Sequence, residues 1–251
     1  FARVKGLKHV ILGAGSNVLI SDNGFDGLVM RMTGSGIQIE GKRMIVDAGV
    51  MMARAVMESG KAALHGFEWG IGVPGTIGGS IRGNAGCFGG EMKDIVESVE
   101  VFNFPTATSY KLQATNCSFG YRNSIFKTHP EWIVISTVLQ LHIGSRQMIQ
   151  EEIGRIAQER VIKQDIGTKS CGCIFKNVPL PPDNHRREKL YTQFSELAVF
   201  RGRSTIPAAF LIDRCGLKGR CVGSIHISDK HANFFINQGG GRSKDVLALI
   251  A

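Results

Sequence analysis

The chain has 251 residues, 43% of them apolar, and a formal net charge of +9. This fits a soluble globular protein with a real core, in one large domain or two smaller ones. No apolar run approaches the roughly 18–20 residues that span a bilayer. No signal-peptide pattern opens the chain, so a cytoplasmic protein with no membrane partner is expected.

Short β-type runs recur between glycine turns at residues 10–12, 18–20, 28–30, 44–48 and 96–102. The β-branched run WIVISTVLQLH at 132–142 is the clearest strand. A helix is expected over 51–59, stopped by Gly60 in a left-handed C-terminal position. The pattern changes at Gly144–Ser145. Ser145 can cap a helix, and Ile149, Ile153, Ile156 and Val161 then follow at near-helical spacing. That helix is expected to open a second domain, giving domains 1–144 and 145–251. The second should hold a strand at 173–177 and a polar insertion at 179–207, where PLPPDNHRREKL reads as a mobile loop. A helix at 208–215, a strand at 232–237 and a last helix from Ser243 complete it. The apolar face of that helix (Val246, Leu247, Ile250) is still running at Ala251, and the chain reads as a fragment lacking a part at each end. The class is α+β.

Two glycine-rich stretches stand out. LGAGSNVLISD occupies 12–22, and EWGIGVPGTIGGSIRGNAGCFGG occupies 68–90. Glycine lets a backbone approach a ligand with no Cβ in the way, and main-chain N–H groups of such loops suit a diphosphate. Together with the positive charge, they point to a nucleotide-type ligand. The basic residues are dispersed apart from groups at 185–189 and 201–203, and no RNA-binding signature is present, so nucleic acid ranks far lower. The six cysteines (87, 117, 171, 173, 215, 221) are expected as reduced thiols. Cys171 and Cys173 are too close for the usual zinc spacing, and no metal site is expected.

Five blocks, in order, carry a resemblance: LGAGSNVLISD, GIGVPGTIGGSIRGNAGCFGGEMKD, CSFGYRNSIFK, GCIFKN, and AAFLIDRCGLKG with ISDKHANFFINQGG. With them the chain resembles the UDP-N-acetylenolpyruvoylglucosamine reductases of bacterial cell-wall synthesis, of the shorter type. The resemblance implies a VAO/PCMH-type FAD-binding domain followed by a smaller α+β substrate-binding domain. It implies FAD, with NADPH as co-substrate, and reduction of a UDP-sugar enolpyruvyl ether to a lactyl ether in peptidoglycan precursor synthesis. It assigns FAD to Gly13, Gly15, Ser16, Asn17 and Val18 of the first loop, and to Gly75, Thr76, Gly78, Gly79 and Asn84 of the second.

The resemblance makes Arg122, in GYR, the partner of the substrate carboxylate. A guanidinium is always charged and offers two parallel donors to a planar carboxylate. It makes Lys176 and Asn177 candidates for the sugar-nucleotide. Cys173 stands where the family usually has the serine that donates a proton. A thiol, with an ordinary pKa of about 8.5, is a better acid than a hydroxyl and can take that role. If 171–173 is a strand, Cys171 points the same way and competes, as does Ser170. The family's catalytic carboxylate lies beyond Ala251, so no catalytic Glu is assigned. The alternatives are another VAO-type flavin oxidoreductase and an inactive flavin- or nucleotide-binding module. Oligomeric state is not legible.

Overall fold

A computed structural model describes residue 2 and residues 4–251. They form two compact units, one from Phe1–Val18 and Gly24–Ile162, the other from Leu19–Asn23 and Lys163–Ala251.

The first unit opens with two parallel strands, β1 (His9–Leu12) and β2 (Leu28–Arg31). Its main sheet has five antiparallel strands: β3 (Ile37–Glu40), β4 (Arg43–Asp47), β5 (Val96–Asn103), β6 (Thr108–Gln113) and β7 (Trp132–Gln140). The spatial order is β3-β4-β7-β5-β6. Gly41, at φ 59°, allows a two-residue loop to fold β3 onto β4. Period-two alternation puts Met44 and Val46 of β4 fully inside, where Val99, Val101 and Leu139 join them. Helices α1 (Met52–Lys61) and α2 (Ile77–Gly83) close this core with Met52, Ala55, Val56, Ile77 and Ile81. Each of these Met, Val, Leu and Ile side chains contributes about 1.5–3 kcal/mol by leaving water.

Three expectations for this unit need correction. Residues 18–20 form no strand, and Leu19 and Ile20 are exposed. Three apolar residues with no neighbouring strand to pair with do not extend a sheet. Helix α1 does not stop before Gly60 but runs through it to Lys61. Gly60 is a packing position: a Cβ there would lie 3.2 Å from Ile153 Cδ1 and 3.4 Å from Ile149 Cγ2. Those isoleucines belong to helix α3 (Arg146–Lys163), whose Ile149 and Ile153 are part of the first unit's core. The helix therefore closes the first unit up to Ile162 rather than opening the second, because its apolar face is buried there.

The second unit has a three-stranded antiparallel sheet of β8 (Cys221–Val222), β9 (Ile225–Ile227) and β10 (Phe235–Asn237). The insertion is ordered. It holds helix α4 (Asn184–Gln193), capped by the Asp183 carboxylate on the N–H groups of His185 and Arg186. Leu180, Tyr191, Leu197, Phe200 and Ile206 build a separate small core beneath it. The polar run predicted to be mobile thus folds on apolar residues interleaved within it. Helix α5 (Ala208–Arg214) follows, and helix α6 (Ser243–Ile250) ends the chain. Residues 19–23 join this unit through Asp22. Its carboxylate accepts from the N–H groups of Ser243 (2.8 Å) and Lys244 (3.3 Å) at the start of α6. The Ser243 N–H bond is the main cause of a lowered Asp22 pKa. The expected strand at 173–177 reduces to a single bridge, Cys173 to Phe234.

Candidate functional site

In the first unit the two glycine loops lie against each other. A Cβ on Gly13 would fall 2.2 Å from Thr76 Oγ1, and one on Gly75 would fall 2.6 Å from Ser16 Oγ. Gly75 has φ 109°, a conformation only glycine adopts readily. Thr76 caps α2, its Oγ1 accepting from Gly79 N at 3.4 Å. Among the described residues, the main-chain N–H groups of residues 13–17, and those of Gly75 and Thr76, donate to no protein acceptor. Bare backbone with open donors, in a cradle that side chains would fill, fits the diphosphate of a dinucleotide.

Not every predicted contact belongs to that cradle. Gly78 donates its N–H to Ala48 O (2.9 Å), and a Cβ there would meet the Ala48 methyl at 2.8 Å. It is the glycine that lets α2 approach the end of β4. The Gly79 N–H serves the Thr76 cap. Asn84 is 1% exposed and left-handed at φ 41°. Its amide nitrogen donates to Glu91 Oε2 (2.6 Å) and Gly120 O (3.0 Å), and its oxygen accepts from Lys93 N (3.0 Å). Its main-chain N–H bonds back to Ile81 and Ser80. All of its donors are engaged in joining α2 to the loops that follow, so it offers none to a cofactor.

Arg122 lies in the same unit, half-buried and left-handed at φ 52°. Its Nη2 donates to Gly86 O at 2.9 Å, and Lys127 Nζ donates to the Arg122 carbonyl at 2.7 Å. The fork is therefore anchored at one nitrogen by the glycine-rich block. Tyr121 is half exposed, its ring 5.9 Å from the guanidinium carbon.

A second guanidinium beside that block was missed by sequence reasoning. Arg160 of α3 is 5% exposed, and its Nη2 donates to Cys87 Sγ at 2.6 Å. The Cys87 thiol in turn donates to Trp69 O at 3.1 Å. Burial pushes the Cys87 thiol pKa up, while the charges of Arg160 and then Arg122 oppose the shift. The guanidinium carbon of Arg160 also lies 5.0 Å from the Phe88 ring centre. The signal was available: residue 160 falls four after Ile156 and seven after Ile153, a charge on the apolar face of its helix.

In the second unit, Cys173 is exposed and Cys171 half-buried, with burial raising the Cys171 pKa. Gly172 between them has φ 78° and marks a bend. Strand alternation therefore does not govern the pair, and the expectation that the two thiols share a strand face fails. Lys176 is exposed. Asn177 accepts from Ala208 N at 3.3 Å, holding the start of α5. No group of three potential metal ligands occurs among the described residues.

Comparison with known proteins decides the family. Residues 1–112 match the FAD binding domain, and residues 164–251 match the C-terminal domain of UDP-N-acetylenolpyruvoylglucosamine reductase. A protein of that name from Synechococcus sp. (strain JA-3-3Ab) is 34% identical over 254 residues, covering 100% of this chain and 72% of the relative. Another from Gloeobacter violaceus is 33% identical, covering 100% of this chain and 76% of the relative. The chain belongs to the UDP-N-acetylenolpyruvoylglucosamine reductase family. The crystal structure of the family's enzyme from Thermus caldophilus superposes with a TM-score of 0.77 at 33% identity, over 99% of this chain and 81% of that one. The fold is thus that of the family, an FAD-binding N-terminal domain and a mixed α+β C-terminal domain. The protein is a flavin-dependent reductase.

Proposed function

We propose that the chain reduces the enolpyruvyl ether of UDP-N-acetylglucosamine-enolpyruvate to UDP-N-acetylmuramate, with NADPH as electron source, in peptidoglycan precursor synthesis. The observation that carries this reading is likeness along the whole chain, at 31–34% identity, to proteins named for that substrate. The six thiols fit a reducing compartment, and we place the reaction in the cytoplasm. Bound FAD would supply the hydride, taken from NADPH.

The protein's part is to hold, polarise and protonate. The open N–H groups of the glycine loops would hold the FAD diphosphate. Lys176 would attract the substrate's diphosphate as a point charge, with Asn177 beside it. When hydride adds to the vinyl carbon, negative charge moves toward the substrate carboxylate. Arg122, anchored on Gly86, keeps further N–H donors for that carboxylate and stabilises the charge as it develops. A proton must then reach the α carbon, and Cys173 would give it from its thiol. Its exposure lets solvent return the proton for the next cycle.

Anaerobic stopped-flow tests the reading. The flavin-loaded protein is reduced with NADPH and mixed with the enolpyruvyl substrate, and the oxidised-flavin absorbance should return. Cys173→Ser should reoxidise, and Cys173→Ala should not. Failure of the wild type to reoxidise would identify a binding module without the chemistry. Full-rate reoxidation in the alanine variant would remove Cys173 from its role.

A further inference from the structure

Cys171 and Cys173 flank one glycine, and that glycine sets the backbone between them. Gly172 has φ 78°, and a Cβ there would meet nothing within 4 Å. Close packing therefore does not demand glycine at this position; the left-handed bend does. Two fully extended peptide units span about 7 Å, and a bend at the middle residue shortens that span. Disulfides join cysteines whose Cα atoms are roughly 4.4–6.8 Å apart. Two cysteines separated by one bent residue therefore have their Cα atoms within the span that a disulfide bridges.

The two differ in access. Cys173 is exposed and Cys171 half-buried. The remaining cysteines are placed differently. Cys87 is engaged by Arg160 and the Trp69 carbonyl. Cys117 is buried, its pKa pushed up to about 11. Cys215 and Cys221 are exposed and serve as internal references for indiscriminate oxidation.

We propose that Cys171 and Cys173 are a reversible thiol–disulfide site that switches the reductase off under oxidising conditions. The oxidant is a low-molecular-weight disulfide. The Cys173 thiolate attacks one of its sulfurs, forming a mixed disulfide and releasing one small thiol. Cys171 then loses its proton and attacks the Cys173 sulfur, expelling the second small thiol. Two protein thiols are oxidised by two electrons to one disulfide, the small disulfide is reduced to two thiols, and the two protons go to those leaving groups. The inhibition rests on the reading of Cys173 as proton donor: closing the bond removes its S–H. A serine at position 173 could not close such a bond.

The test treats the flavin-loaded protein with oxidised glutathione, blocks remaining thiols with an alkylating agent, and digests with trypsin. Residues 170–176, bounded by Lys169 and Lys176, form a peptide that holds both cysteines and no other. It should lose two hydrogens, about 2 Da, and take no alkyl label. Turnover should fall in proportion, and a dithiol reductant should restore both. The Cys171→Ser peptide should carry a glutathione adduct in place of the internal bond. A Cys215→Ser/Cys221→Ser protein should switch like the wild type. The proposal is overturned if the wild-type peptide keeps two alkylatable thiols, or carries only an adduct, at glutathione poises that oxidise Cys215 or Cys221. A closed pair with undiminished turnover overturns the switch and, separately from the pairing, the assignment of Cys173 as proton donor.

Discussion

Replacing Gly13 with alanine tests whether the two glycine loops form one cradle. The new Cβ would sit 2.2 Å from Thr76 Oγ1, 3.2 Å from its Cγ2 and 3.3 Å from its Cβ. Thr76 is 4% exposed and β-branched, so few rotamers are open to it. Its backbone is held by flanking bonds, Met52 N to Gly75 O (3.0 Å) and Ile77 N to Val50 O (2.9 Å). The hydroxyl must swing away and give up the α2 cap, costing about 1 kcal/mol. Residual crowding adds about 1–3 kcal/mol. Thr76→Ala alone should cost about 1 kcal/mol, the cap. In the double variant the two nearest atoms are gone and the third contact needs only a few tenths of an ångström. The double variant should therefore lose less than the sum of the singles, by about 2–4 kcal/mol, because the cap is lost once rather than twice and the crowding is relieved. Urea unfolding of the flavin-free protein measures the stability part. FAD titration measures the functional part: Gly13→Ala should bind flavin more weakly, and Thr76→Ala should restore some affinity to it. Costs that simply add, within about 0.5 kcal/mol, would refute the contact between the loops.

Asn84→Asp should destabilise the first unit by about 2–4 kcal/mol, because it sets a carboxylate against Glu91 and leaves Gly120 O without its donor. A wild-type melting curve would count against the joining role of Asn84. Cys117 stays protonated in the folded state up to about 11, from an ordinary 9.0, because burial disfavours its thiolate. Above pH 9 the unfolded chain loses this proton while the folded chain keeps it, so stability should fall between about pH 9 and 11. That part of the slope should vanish in Cys117→Ala, and chemical denaturation across this window measures it. Arg160→Ala removes the charge and the hydrogen bond that favour the Cys87 thiolate, so the alkylation profile of Cys87 should move to higher pH. An unmoved profile, followed by peptide mass spectrometry, would argue against the contact. Arg122→Lys keeps the charge but loses the fork, and kcat/KM for the enolpyruvyl substrate should drop about 10²-fold. Flavin reduction by NADPH should be unaffected. Unchanged steady-state kinetics would exclude Arg122 from carboxylate binding.

Local sequence determined much of this protein. Apolar and β-branched runs at 44–48, 96–102 and 132–142 marked three of the five strands of the main sheet, while the more polar edge strands at 37–40 and 108–113 were not legible. The glycines at 13, 15 and 75 announced a backbone cradle, since their lack of a Cβ is itself the requirement. Tertiary structure alone decided the rest. A glycine inside a helix reads like one that ends it, and only the crossing isoleucines of α3 make Gly60 a packing residue. Asn84 and Gly78 look like loop ligands until their partners at Glu91, Gly120 and Ala48 are in place. The reach of Asp22 across 221 residues to cap the last helix has no local signature, and the apolar face of α3 marks Arg160 as unusual without naming Cys87 as its partner. Short-range steric and hydrogen-bonding preferences are written in neighbouring residues. The partner of a polar group is chosen only when distant segments pack, because burial then makes an unmet donor or charge costly.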